Sequence, residues 1–313
     1  PPRIERFLGE QRQPVKPTTR FPALEQRGIA TALMERLGFD FERGRLDESA
    51  HPFCGGNPDD IRMTTRWDES DVASGLMGVL HETGHALYEA GLPADWRHQP
   101  VGRSGGMALH ESQSLLVEMQ ACRSPAFIWF LGERLREAFG DEPALAPENL
   151  EALYHHVERG LIRVDADEVT YPLHIILRWR LERAMIEGEL EVADLPDAWN
   201  EGMRELLGVT PPDHATGCLQ DIHWPAGAFG YFPSYSLGAL LAAQLFKAAE
   251  DAVPELDGRL RRGDFRPLLD WLRTHVHGRA RSVGFEPLVE AATGAPLGTD
   301  AFLAHLDARY PAR

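Results

Sequence analysis

The chain has 313 residues, 43% of them hydrophobic and 26% charged, which is ample material for a packed core and lacks the bias of a disordered or fibrous protein. Its formal net charge of −16 argues against a nucleic-acid partner, because phosphate backbones are normally met by an excess of Lys and Arg. No stretch approaches the roughly 18 apolar residues of a membrane span, so a membrane is not an expected partner either.

Apolar residues at three and four spacing predict helices over 22–37, 75–90, 107–122, 125–139, 147–161, 167–188, 195–207, 235–251, 265–276 and 285–293. Pro125, Pro147 and Pro196 sit where proline opens a helix, and Gly91, Gly140 and Gly188 sit just past predicted ends. Two stretches break the pattern. Residues 60–67 alternate and are rich in β-branched side chains, which predicts a short strand, and the glycine-, proline- and aromatic-rich run 216–233 reads as a binding loop. The expected fold is mainly α, with a small β-sheet beside a helical body.

No linker, low-complexity run or repeat divides the sequence, so a single domain over 1–313 is expected, with two lobes around one cleft as its variant. Cys54, Cys122 and Cys218 are odd in number and far apart, which points to a reducing, cytoplasmic setting. The opening Pro1-Pro2-Arg3 is not a signal peptide, and a start at proline is expected of a processed or trimmed product.

The chemistry concentrates in His81-Glu82-Thr83-Gly84-His85. Residues four apart share a helix face, so His81 and His85 can aim ring nitrogens at one ion about 2 Å away. Glu82 flanks that ion without entering its coordination shell and is placed to accept a proton from a metal-activated water. By itself the pattern occurs by chance in unrelated helices. Its apolar setting, with Leu76, Val79, Leu80, Ala86 and Leu87, favours a buried helix in which ionisable groups require a partner. Gly75, Gly78 and Gly84 cost such a helix stability, which close backbone approach would explain. A catalytic zinc takes three protein ligands and keeps one open position. Glu111, in the next predicted helix, has the best setting for the third, with His98, His110 and Glu118 as competitors.

In order along the chain stand His51-Pro52-Phe53, Asp60-Ile61-Arg62-Met63-Thr64, His81-Glu82-Thr83-Gly84-His85, His110-Glu111-Ser112-Gln113, Ile162-Arg163-Val164-Asp165-Ala166-Asp167 and Gly217-Cys218-Leu219-Gln220-Asp221-Ile222-His223-Trp224. With the run from Phe229 to Gly238, this set resembles the M32 family of metallocarboxypeptidases, to which thermostable carboxypeptidases of bacteria and archaea belong. The resemblance implies a multi-helical, zincin-like metallopeptidase that removes single residues from peptide C-termini with zinc or cobalt and forms a homodimer. It makes His81, His85 and Glu111 the metal ligands and Glu82 the general base and acid.

On the same resemblance Arg163 is the anchor for the substrate carboxylate, since a guanidinium offers two parallel hydrogen bonds; the alternative is an ion pair with Asp165 or Asp167. Tyr235, ahead of Tyr231, is the candidate to bond the substrate or the oxyanion, and His223 is either a transition-state donor or a structural ring stacked on Trp224. His51 and Arg62 are candidate substrate contacts, although an Asp60–Arg62 pair also reads as an ordinary buried ion pair. Asp221 and Glu118 are candidates to fix a histidine tautomer. Family members carry a long helical region ahead of the His-Pro-Phe motif, where this chain has 50 residues. The alternatives to an exopeptidase are therefore a metalloendopeptidase or other zinc hydrolase with an opened cleft, and a non-catalytic protein that keeps the metal as a staple.

Overall fold

The computed structural model describes residues 2–9, 11–49 and 53–310. His51 and Pro52, and with them the expected substrate contact at His51, lie outside the described residues. In chain order the helices are α1 (Pro2–Phe7), α2 (Ala23–Leu37), α3 (Val72–Ala90), α4 (Met107–Leu115), α5 (Pro125–Phe139), α6 (Pro147–Tyr154), α7 (Tyr171–Glu187), α8 (Leu195–Leu207), α9 (Pro233–Ala252), α10 (Leu256–Leu260), α11 (Arg266–His275), α12 (Phe285–Thr293) and α13 (Asp300–Arg309). A π-helical segment, Leu116–Cys122, continues directly from α4. The strands are β1 (Gly44–Glu48), β2 (Phe53–Asn57) and β3 (Asp60–Thr65). The fold is thus mainly α with one small sheet, as the sequence predicts.

The sheet has the order β1-β3-β2. Central β3 runs antiparallel to β2, with Cys54 opposite Met63, and parallel to β1, with Leu46 opposite Met63. Ile61, Met63 and Thr65 are buried along β3 while Asp60 and Arg62 are exposed, so the two-residue period of the sequence is realised as one core face and one solvent face. The predicted strand stops at Thr65, two residues early, and β1 and β2 are additions to the prediction.

Contacts divide the chain into two compact units. The larger comprises residues 13–154 and 238–303. It holds the sheet and a continuous apolar core that runs from Phe21 and Met34 through Leu76, Leu80, Leu116, Phe127 and Leu245 to Phe265 and Val289. The smaller comprises residues 1–12, 155–237 and 304–313. Its core is built on α7 and α8 from Leu177, Leu181, Trp199, Met203 and Leu207.

Two helix ends that stand well away from the periodicity have a visible cause. The helix predicted to reach 161 stops at Tyr154, because Val157 is bonded sideways instead: its N–H donates to Gln11 Oε1 at 2.8 Å and its carbonyl accepts from Gln11 Nε2 at 2.9 Å. α7 begins at Tyr171 and not at Asp167, whose carboxylate accepts from the backbone of Val169 and Thr170, both at 2.9 Å, and so closes the turn ahead of the helix.

Glu168 is a buried acid of the smaller unit held by three side chains. It is 4% exposed and accepts from Arg309 Nη1 at 2.9 Å, Tyr310 Oη at 2.9 Å and His305 at 3.0 Å. Burial alone would raise its carboxyl, but Arg309 and His305 outweigh burial and hold it well below the usual carboxylate range. A lowered folded-state value stabilises the fold above the unfolded value of about 4.3 and ceases to do so as pH falls through it. Replacing Glu168 by Gln removes the buried negative charge that Arg309 and His305 face and is expected to cost about 3–5 kcal/mol in urea unfolding at pH 7. The gap to wild type should stay constant above about pH 5 and narrow toward pH 3.

Candidate metal centre

α3 carries the two histidines. Asp71 caps it by accepting from the Ser74 N–H at 3.0 Å, which starts the helix at Val72, three residues ahead of the predicted start. Leu76, Val79, Leu80, Ala86 and Leu87 bury one side of the helix and leave His81, Glu82 and His85 part-buried along another. The imidazoles of His81 and His85 lie 5.0 Å apart, ring centre to ring centre.

α4 delivers Glu111 to the same place. Its approach depends on Gly84: a Cβ there would lie 2.5 Å from the Gln113 carbonyl oxygen and 2.6 Å from Ser114 Cα. Gly238 in α9 plays the same part behind the ligand, since a Cβ would meet Glu111 Cβ at 2.8 Å. His85 Nε2 and Glu111 Oε2 are 3.5 Å apart, and one ligand atom from each of His81, His85 and Glu111 falls within 4.8 Å of the others. Two ligands bound at 2.0–2.1 Å in a tetrahedral shell stand about 3.3 Å apart, so the His85–Glu111 separation fits a shared ion better than a hydrogen bond.

The far side of each imidazole is also engaged. His81 Nδ1 is 2.9 Å from Glu118 Oε2, which makes Nδ1 the donor and leaves the Nε2 lone pair for a metal. His85 Nδ1 is 3.1 Å from the His110 carbonyl and 2.7 Å from His110 Nδ1. His110 Nε2 in turn meets Glu89 Oε1 at 2.9 Å. A proton on His110 Nε2 and one on His85 Nδ1 satisfy every contact in this chain and again leave Nε2 of His85 open. His81, His85 and Glu111 therefore fit a divalent cation: two nitrogens and an oxygen, with supporting hydrogen bonds already in place.

The electrostatics point the same way. Burial tends to lower His81, yet the Glu118 hydrogen bond and the charges of Glu111 and Glu82 prevail and push it up to about 9. Burial, with His81 and His110 close by, takes His85 down to about 4. Glu82 is raised, chiefly by burial and by the neighbouring carboxylates. Three carboxylates thus converge on two imidazoles, an excess of negative charge that a divalent cation offsets.

Several expected residues gather in the smaller unit. Arg163 opens a short 3-10 turn and is 8% exposed. Its partner is neither Asp165 nor Asp167 but Asp221, reached by Nε at 2.9 Å and Nη2 at 2.8 Å. The other Asp221 oxygen accepts from Arg178 Nε at 2.6 Å. Arg178, fully buried, also donates to Gln220 Oε1 at 2.8 Å and to the His174 carbonyl at 2.9 Å. One carboxylate shared by two guanidiniums leaves this cluster one positive charge in excess, and those guanidiniums overcome burial to hold Asp221 low.

Tyr235 packs under Arg163, its ring centre 4.9 Å from the guanidinium carbon, and is 2.9 Å from His223 Nε2 through its hydroxyl. Tyr231 stands beside both rings, at 5.5 Å from His223 and 5.3 Å from Tyr235. His223 packs on Phe232, ring centres 4.3 Å apart, and not on Trp224, whose indole N–H donates to Glu182 at 2.7 Å. Arg62 pairs with Asp60 on the solvent face of β3, its Nη2 at 3.0 Å from Oδ2, so that pair is exposed where a buried one was expected. His98 is exposed in a loop.

Arg178, Gln220, Glu89 and Arg123 were not singled out by sequence. For Arg178 a signal existed: it lies between Leu177 and Leu181 on the buried face of α7, where a charge demands a counter-ion.

A sequence model of the family described as Carboxypeptidase Taq (M32) metallopeptidase matches residues 4–310. The chain belongs to this family. It is 43% identical over 312 residues to Thermostable carboxypeptidase 1 of Thermus thermophilus, covering 99% of this chain and 61% of that protein. With Carboxypeptidase 1 of Bacillus subtilis it shares 38% over 302 residues, 94% of this chain and 59% of the relative. Among solved structures, Trypanosoma cruzi metallocarboxypeptidase 1 superposes with a TM-score of 0.95 at 40% identity, covering 99% of this chain and 66% of that one. The M32 carboxypeptidase of Deinococcus radiodurans gives 0.94 at 38%, with 99% and 63% covered. The chain thus spans about three fifths of the length of the curated relatives it matches.

Gly84→Ala forces α4 away from α3 beside Glu111. It is expected to cost about 1–3 kcal/mol in thermal unfolding without metal. The rise in Tm on adding zinc should also be smaller than in wild type.

Proposed function

We propose that this chain carries the catalytic machinery of a zinc-dependent carboxypeptidase that releases single amino acids from the C-termini of peptides. The observation that carries the reading is the His81, His85 and Glu111 set, with each imidazole bonded from behind and Glu82 alongside. Those three side chains would hold the cation, which when bound polarises a scissile carbonyl and lowers the pKa of water. Zinc suits two imidazoles and a carboxylate, and cobalt(II) is the alternative.

Glu82 accepts the proton of the attacking water and returns it to the departing amine, so that the peptide bond breaks as a carboxylic acid and an amine. Arg163 holds the substrate's α-carboxylate. Asp221 occupies the Nε–Nη2 edge of its guanidinium, which directs the remaining edge to a second carboxylate, and the unbalanced positive charge of the cluster favours an anion. The hydroxyl of Tyr235, oriented by His223, donates to the oxyanion, and Tyr231 contacts substrate. Three unpaired thiols among the described residues suit a reducing, cytoplasmic setting, and a homodimer is proposed on family grounds.

Release of free amino acid from an N-blocked dipeptide tests the reading. Glu82→Gln should keep its zinc and lose at least about 10²-fold in kcat; undiminished activity in that variant would sink the mechanism, and internal cleavage of a folded-protein substrate by wild type would favour an endopeptidase.

Replacing Arg163 by Gln should raise KM for peptides with a free C-terminus by about 10-fold or more, a loss of roughly 1.5–3 kcal/mol for a hydrogen bond to a charged group. C-terminally amidated peptides, already poor substrates, should be unaffected. An equal loss on both substrates would remove Arg163 from the role.

A further inference from the structure

Leu116–Cys122 winds as a π-helix with no break from α4. Such winding is rare, and where it interrupts an α-helix it is frequently at a functional site. Its effect here is on which side chains share a face. Five residues of α-helix turn the chain by about 500°, which points the first and last about 140° apart. The i→i+5 winding brings them together instead, and Arg123 Nη2 lies 2.6 Å from Glu118 Oε1, five residues back.

That contact leaves the two oxygens of a buried carboxylate with separate tasks. Oε1 accepts from Arg123, and Oε2 faces His81 Nδ1 at 2.9 Å. Glu118 is 8% exposed and close enough to Glu82 and Glu111 to feel both charges. Arg123 is the cation that offsets this repulsion and the donor that sets the rotation of the carboxylate. The arginine is itself braced, with its guanidinium carbon 5.9 Å from the ring centre of Tyr154, whose hydroxyl donates to the Ala73 carbonyl at 3.2 Å in the first turn of α3.

We propose that Arg123 is a positioning residue for the metal centre: acting through Glu118, it fixes the tautomer and rotation in which His81 presents Nε2, and the π winding of Leu116–Cys122 brings it within reach. The inference rests on the assignment of His81, His85 and Glu111 as metal ligands. Disturbing partners behind a ligand histidine typically weakens metal affinity 10–100-fold, and that is the scale of effect Arg123 should show.

The test is a titration of the metal-stripped full chain with Zn²⁺ alone, in competition with a chelator, and it requires no peptidase assay. Arg123→Gln should bind Zn²⁺ about 10–100-fold more weakly than wild type. Arg123→Lys should recover part of the loss, because it restores the charge without the planar fork. In a Glu118→Gln background Arg123→Gln should have no further effect, since the arginine then has no carboxylate to act through. Thermal unfolding of the metal-free proteins separates this from a structural role, which would lower Tm and leave zinc affinity unchanged. Unchanged affinity in Arg123→Gln, or its full effect in the Glu118→Gln background, overturns the proposal. If Arg123→Gln does not fold, Arg123→Lys decides, and wild-type affinity in it overturns the proposal too. A wild-type chain that takes up no Zn²⁺ overturns the ligand assignment itself.

Discussion

A Cβ at position 84 would lie 2.5 Å from a carbonyl oxygen of α4, so these two helices meet at backbone distance because that residue has no side chain. The distance matters because the ligands come from both helices and their side chains are short. Glu111 reaches the Nε2 side of His85 only when its own backbone lies close to α3. The glycine is a poor helix former, costing about 1 kcal/mol relative to alanine, and a capped, largely buried helix of 19 residues absorbs that cost. Gly238 applies the same rule to Glu111 itself, since a Cβ there would meet Glu111 Cβ and Cγ, both at 2.8 Å, so the segment that carries the ligand is approached at two positions that tolerate no Cβ.

Charge is handled in opposite ways in the two units. Around His81 and His85 carboxylates outnumber cations: Glu82, Glu111 and Glu118 converge, and among the described residues only Arg123 is a fixed positive partner to one of them. Around Asp221 the balance reverses, with two guanidiniums on one carboxylate. Neither arrangement adds to stability in the way an apolar core does, because each takes ions out of water and leaves one sign in excess. Retaining such imbalance in buried positions is understandable when a ligand of the opposite sign completes each set, a cation in one and an anion in the other.

The sequence announces those parts of the site that follow helical or strand periods. Four-residue spacing places His81 and His85 on one face, and Ile61, Met63 and Thr65 alternate into the core as their pattern predicts. Features that depend on non-local partners are silent. β1, Gly-Arg-Leu-Asp-Glu, has no apolar alternation and exists because it pairs in parallel with β3. Periodicity extends α6 past Tyr154, and a glutamine more than 140 residues away ends it. Arg163 is legible by motif, but its partner Asp221 lies 58 residues on and is recognisable only after folding. The Glu118–Arg123 pair is hidden for a different reason, since a reader who assumes 3.6 residues per turn assigns the two to different faces.

The supports behind the two histidines solve one problem by different means. Each ring must donate from Nδ1 so that Nε2 keeps its lone pair, and each donor is bonded by a group that is itself held. For His81 the chain of contacts runs through Glu118 to Arg123 and ends on a cation. For His85 it runs through His110 to Glu89 and ends on an anion, one turn beyond His85 on α3. The second chain costs no unusual backbone, because Glu89 and His85 already share a face of a regular helix and His110 directly precedes Glu111. The first requires a residue from the far end of the α4 rod, and a regular helix does not bring it round. The π segment therefore sits where one of two equivalent ligands has no locally available support, and the regular helix is kept where the support is already in register.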